Sequence, residues 1–93
     1  MFIGTGTITM RANWCHSLKE KRMVVRSIID KTKHKFNISI AEVEDQDLHN
    51  SIVIGFACIN SDKNVVNSIV NKVINYIEDN TEAEILNVEI EVI

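Results

Sequence analysis

Ser17-Leu18-Lys19-Glu20-Lys21-Arg22 is the point at which this chain changes period. Before it, small and apolar residues recur at every second position; after it, they recur every three or four. Ser17 followed three positions later by Glu20 is a capping-box pattern. The serine oxygen can accept from an orphan amide of the first turn, and the glutamate can reach back to another. A helix is therefore predicted to begin at Leu18, and the elements on either side follow from it.

Upstream, residues 2–12 read as a strand, with Gly4, Gly6, Ile8, Met10 and Ala12 on one face and Ile3, Thr5, Thr7, Thr9 and Arg11 on the other. The two glycines suggest that a helix backbone packs closely against it. Asn13 to His16 form a loop. Downstream, Leu18, Val25, Ile28, Ile29 and Thr32 make the apolar stripe of a helix running to about Lys35. Phe36, Ile38 and Ile40 then alternate with Asn37, Ser39 and Ala41 as a second strand, and Asp45 to Asn50 form a polar turn. Residues 51–60 are apolar on both faces, which marks a central strand. Ser61 or Asn60 caps a second helix that runs to about Asp79 and buries Val66, Ile69, Val70, Val73 and Ile77. A last strand, 83–92, points Leu86, Val88, Ile90 and Val92 inward and Asn87, Glu89 and Glu91 outward.

The order is β-α-β-β-α-β, the ferredoxin-like α+β arrangement. Right-handed crossovers place both helices on one face of a four-stranded antiparallel sheet, with expected strand order 4-1-3-2. The other face shows Ile3, Thr5, Thr7 and Thr9 beside Glu89 and Glu91, with apolar residues from 51–60. Such a mixed face is either solvated or covered by a second copy, so a homodimer is one expectation.

The 93 residues make one domain, 1–93, with ordinary globular hydrophobic and charged fractions. Thr5, Thr7, Thr9 and Arg11 interrupt any export signal, and nothing approaches the roughly 18 apolar residues of a membrane span. Cys15 and Cys58 lie far apart with no metal-ligand spacing, as free thiols in a reducing cytoplasm would. A cytoplasmic protein without a membrane partner is expected.

Gly4, the Ser17–Arg22 segment, Phe36-Asn37-Ile38-Ser39-Ile40-Ala41-Glu42-Val43 and Gln46-Asp47-Leu48 together resemble the YlxP-like family of small bacterial proteins, a domain of unknown function. The resemblance covers essentially the whole chain. It implies a ferredoxin-like fold and a bacterial cytosolic protein, and family genes often neighbour those for translation initiation factor two and ribosome-binding factor A. The chain departs from the family pattern in two loops. Asn13 and Trp14 stand where a proline is common, and His49 stands where tryptophan is common.

Candidate chemistry is sparse. His16, His34 and His49 are dispersed, without the spacing of a helical metal site, so no metal or cofactor is expected. Cys15 beside His16, near a helix N-terminus, is an environment that can lower a thiol pKa, but adjacent side chains rarely aim at one point. Glu42, Glu44, Asp45 and Asp47 could serve acid–base work or a divalent cation. The same composition describes a solvated hairpin end. Glu42, Asp47 and Ser39 form no coherent catalytic set, and no enzyme is expected. Gly4-Thr5-Gly6 lies inside a strand and is no phosphate loop.

The first helix carries the remaining signal. Lys19, Lys21, Arg22, Arg26, Lys31, Lys33 and Lys35 face only Glu20 and Asp30, in a protein whose formal net charge is −3. Long basic side chains often do no more than keep a helix soluble. However, the chain beyond residue 60 has only Lys63 and Lys72 among its acids, so cations are not needed everywhere for solubility. A one-sided basic ridge is what phosphate recognition requires. Lys19, Lys21, Arg22, Arg26 and Lys33 are the candidate contacts for RNA or ribosomal particles; DNA is not expected. The sheet face lacks the aromatics on which RRM-type readers stack bases, which favours recognition of backbone or shape. The alternative reading is a homo-oligomeric module that binds a small ligand or a protein on its open sheet face.

Overall fold

A computed structural model describes residues 1–93. The strands are β1 (Phe2–Arg11), β2 (Ser39–Glu44), β3 (Ser51–Asn60) and β4 (Glu84–Val92), and the helices are α1 (Leu18–Lys35) and α2 (Lys63–Asp79). They form one antiparallel sheet in the order β2-β3-β1-β4. This is the ferredoxin-like architecture expected from the alternation of periods, with the two most buried strands, β1 and β3, in the middle.

Residues alternate across β1 as the sequence requires. Gly4, Gly6, Ile8 and Met10 face the helices and are buried, while Ile3, Thr5, Thr7 and Thr9 lie on the open face. The glycines are needed for side chains rather than for a helix backbone. A Cβ on Gly4 would come within 2.5 Å of Val66 Cγ1 and 2.6 Å of Val70 Cγ2, and one on Gly6 within 2.4 Å of the Phe56 ring. The core lies between sheet and helices, built from Ile8, Met10, Ile52, Ile54 and Phe56 against Val66, Val70, Val73 and Ile77 of α2 and Val25 and Ile28 of α1.

Four local expectations are corrected. The helix α2 is capped by Asp62, not Ser61 or Asn60: Asp62 Oδ1 accepts from Asn64 N at 2.9 Å, and Asn60 Oδ1 accepts from Asp62 N. The strand β2 begins at Ser39, because Phe36 is spent as the C-cap of α1, its N–H donating to Thr32 O. In β4 the register shifts opposite Thr9/Met10, so that Ile85 pairs with Met10 and packs on the core, while Leu86 becomes the extra, exposed residue. Finally, the capping box is half formed. Ser17 Oγ accepts from Glu20 N at 3.1 Å, but the Glu20 carboxylate takes the serine hydroxyl, at 3.5 Å, rather than a backbone amide.

Candidate phosphate-binding face on the first helix

At about 100° per residue, Lys19, Arg22, Arg26 and Lys33 fall within one narrow arc of α1, with Met23 at its margin. All five are exposed. Lys19, Arg22, Met23 and Arg26 line one surface groove of about 470 Å³. Lys33 continues the same stripe two turns further on. The ridge points away from the sheet because the opposite arc of the helix is committed inward through Lys21, Val25, Ile28 and Thr32.

Lys21 is the correction to the sequence reading. Its side chain is 1% exposed, so it cannot meet a phosphate. It lies on the same stripe as Val25, Ile28 and Thr32, and its ammonium reaches across to the β2–β3 hairpin. Nζ sits 2.9 Å from Glu42 Oε2 and donates to the backbone carbonyl of Asp45. The approach to Oε2 lies off the direction of a hydrogen bond, so the attraction there is mainly between charges.

Asp45 makes this possible. Its φ of 58° is left-handed, which Asp tolerates better than most side chains, and it turns the carbonyl towards the helix. Its carboxylate accepts from Ser51 Oγ at 2.7 Å, and its carbonyl also accepts from Leu48 N. The acidic hairpin therefore has work inside the fold: Glu42 and Asp45 hold Lys21. Glu44 and Asp47 remain exposed.

The Lys21–Glu42 contact is the one ion pair in the structure; Asp30, four residues from Arg26 and three from Lys33, is exposed on the same side of α1 but closes no ion pair with either. Lys35 does have a neighbour of another kind, its ammonium lying 5.4 Å from the centre of the Tyr76 ring.

Cys15 and Cys58 are free thiols and both are buried. Burial pushes the Cys15 thiol up from its ordinary value, Glu20 adds to the rise, and Lys21 opposes it. The lowered pKa that the helix N-terminus and His16 suggested is thus not what the surroundings produce. Burial raises Cys58 as well, against a hydrogen bond from the Gly4 backbone. No three of the His, Cys, Asp and Glu side chains converge as metal ligands would, and no helix is long and apolar enough to cross a membrane.

The open sheet face holds a shallow hollow of about 410 Å³ over Thr5, Thr7, Ala41, Gly55 and Ala57, bounded by Val43. Val43 leans over Gly55, where a Cβ would come within 2.9 Å of it.

Comparison with known proteins agrees with this architecture. The chain is 12% identical to a designed protein, LFR1 1, whose solution structure is described as a ferredoxin fold. The TM-score is 0.56, covering 99% of this chain and 84% of that one. It is likewise 12% identical to the designed protein Foldit4, with a TM-score of 0.53 and coverage of 99% and 94%. Likeness at that level concerns fold alone. Sequence comparison goes further: the Bacillus subtilis (strain 168) protein described as "Uncharacterized protein YlxP" is 34% identical over 68 residues, covering 73% of this chain and 74% of that protein. Residues 3–90 match the family described as "Protein of unknown function (DUF503)". The chain therefore belongs to the DUF503 family, alongside YlxP.

Proposed function

We propose that this protein is a non-enzymatic, cytoplasmic module that binds RNA or ribosomal particles through the outer ridge of α1. One observation carries the reading. Lys19, Arg22 and Arg26 share a groove, Lys33 extends their line, and none of the four closes an ion pair with a carboxylate of the chain. An acidic protein that gathers four of its nine exposed Lys and Arg side chains in one row on a single helix has a surface suited to a row of phosphates, each contact releasing a bound counterion. The aromatics are not on the open sheet face, so sheet-based stacking has no part in the reading.

The test is a titration of ribosomal particles and structured RNA with the protein and with its Lys19→Gln/Arg22→Gln/Arg26→Gln variant. The parent should bind with a log–log salt slope of roughly −2 to −3, as for about three neutralised phosphates. The variant should fold normally and lose most of the affinity. Absence of binding by the parent at low salt, where attraction is strongest, sinks the proposal.

A second reading rests on the open-face hollow. Thr5, Thr7, Ala41, Gly55 and Ala57 leave a floor of small residues on the face that no helix covers, and exposed Ile59 lies on the same side. A homo-oligomeric binding module would use it. A monomeric mass by light scattering at high protein concentration removes that reading.

A further inference from the structure

A second groove lies beside the ridge. Trp14, Met23, Val24, Ser27, Ile28, Asn80, Thr81 and Glu82 enclose about 280 Å³ between the β1–α1 loop, the middle of α1 and the α2–β4 loop. Met23 lines this groove and also the basic one, so the two are continuous across a single side chain. Met23 is 67% exposed and Trp14 43% exposed, two large apolar side chains left open to water at the edge of a cationic surface.

The chemistry of the two grooves differs in a way that orients a ligand. The ridge side offers Lys19, Arg22 and Arg26 and no acid. The Trp14 side offers an indole, a thioether, the polar groups of Ser27, Asn80 and Thr81, and the carboxylate of Glu82. A phosphate is attracted to the first and repelled from the second by Glu82. A planar, uncharged ring with hydrogen-bonding edges suits the second, because an aromatic face stacks well on tryptophan and a carboxylate accepts from amino or imino groups. A molecule that carries both parts at adjacent positions is a nucleotide whose base is free to leave its own stack. We infer that Trp14 and Met23 form a stacking platform for an unpaired RNA base whose flanking phosphates lie on Lys19, Arg22 and Arg26.

This inference rests on the proposed RNA binding and adds the kind of RNA: a single-stranded or bulged segment rather than a uniform duplex, whose bases are already stacked on one another. It also moves stacking from the sheet, where this fold has no exposed aromatic, to the loop that precedes α1. A fully paired helix could use the ridge alone.

Trp14 is the sole tryptophan of the chain, so its fluorescence reports on this site without labels. The experiment titrates the intact protein at low salt with a mixed-sequence single-stranded RNA and with a perfect duplex of the same length. Indole emission is followed alongside the anisotropy of a dye on the RNA. The single strand should quench Trp14 and bind more tightly than the duplex. Trp14→Ala should weaken single-strand binding roughly tenfold, within what one stacked base contributes, and leave duplex binding and its salt slope unchanged. Trp14→Phe should recover most of the loss. Met23→Ser, an uncharged change at a largely exposed position, gives a second variant should Trp14→Ala fold poorly. It should weaken the single strand and reduce the quench while Trp14 stays in place.

Equal binding of both RNAs with no change in emission overturns the inference, as does a Trp14→Ala variant that loses duplex and single strand alike. In either case the ridge variant still loses its binding, so the proposed function stands. Absence of binding to any RNA overturns both.

Discussion

The two helices lie on the same face of the same sheet, yet they are held there by different means. The helix α2 buries an apolar set, Val66, Val70, Val73, Ile74 and Ile77, against β1 and β3, and its outer face is mostly asparagine with few charges. The helix α1 buries Val25 and Ile28 together with Lys21 and Thr32, and its outer face is a row of cations. Thr32 satisfies its hydroxyl within the helix, donating to Ile28 O at 2.6 Å, whereas Lys21 is satisfied by the β2–β3 hairpin. One helix is an anchor set by hydrophobic burial. The other is held by a shorter apolar set and by the Lys21 contacts to the hairpin, and is left free to present its outer side. This division fits a small domain whose stability and whose binding surface are supplied by different elements.

The largest effect should come from breaking the anchor. Ile77 is 1% exposed and belongs to the core. Ile77→Ala should cost about 3–5 kcal/mol, the transfer of its methylenes plus the cavity left behind. Ile28 on α1 borders the Trp14 groove, where water and neighbours can fill the space, so Ile28→Ala should cost about 2 kcal/mol. Urea denaturation of both variants tests the contrast. Equal losses would mean that α1 is anchored as firmly by burial as α2.

Next in size is the ion pair. Lys21→Met keeps the apolar stem but leaves the Glu42 carboxylate, only 18% exposed, without its cation. Removing one member of a buried pair commonly costs ~3–5 kcal/mol, and the partial exposure of Glu42 brings the expectation to about 2–3 kcal/mol. Adding Glu42→Leu should recover much of that loss, because the orphaned charge goes with it. A double-mutant cycle with no coupling between the two sites would show that Lys21 packs merely as a hydrocarbon chain.

The same residue marks what could and could not be read from the sequence. The elements were legible because period and two-sided apolarity are local: 51–60 announced itself as a central strand, and the switch at Ser17 fixed where α1 begins. Lys21 was legible in part. It stands at four, seven and eleven residues before Val25, Ile28 and Thr32, so the helical stripe already included it, but its charge argued for the surface. Only a partner from a different element reverses that, and Glu42 is joined to it by the fold rather than by spacing. The β4 bulge is similar. Ile85 and Leu86 are both apolar, and the register with β1 decides which one turns inward. The ridge of Lys19, Arg22, Arg26 and Lys33 was legible because it needs only helical geometry. The Trp14 groove was not, because Asn80, Thr81 and Glu82 reach it from the far end of the chain.

The caps give a smaller comparison between the helices. Ser17→Ala should cost about 1 kcal/mol by orphaning the Glu20 amide. Asp62→Ala should cost slightly more at low salt, since its carboxylate both accepts from Asn64 N and complements the positive end of α2. High salt should bring the two losses together. Coincident urea midpoints for Ser17→Ala and the parent would end the capping role.

The smallest effect should have the opposite sign. Lys19 and Arg22 lie in the first part of α1, where the helix dipole disfavours cations, and Arg22 stands three residues from Lys19 and four from Arg26. Each like-charge pair costs a few tenths of a kcal/mol, and none of the three closes an ion pair with a carboxylate. Arg22→Glu reverses the sign at the helix start and converts both repulsions into attractions. It should therefore stabilise the protein by about 0.5–1 kcal/mol at low ionic strength, with the gain fading as salt screens it. The same substitution should abolish salt-sensitive binding to RNA. A variant that is more stable and no longer binds would mean that the ridge is maintained against stability, for contact with something outside the chain. If Arg22→Glu instead destabilises the fold, the ridge serves the helix itself, and the contrast between an anchoring and a presenting helix loses its functional half.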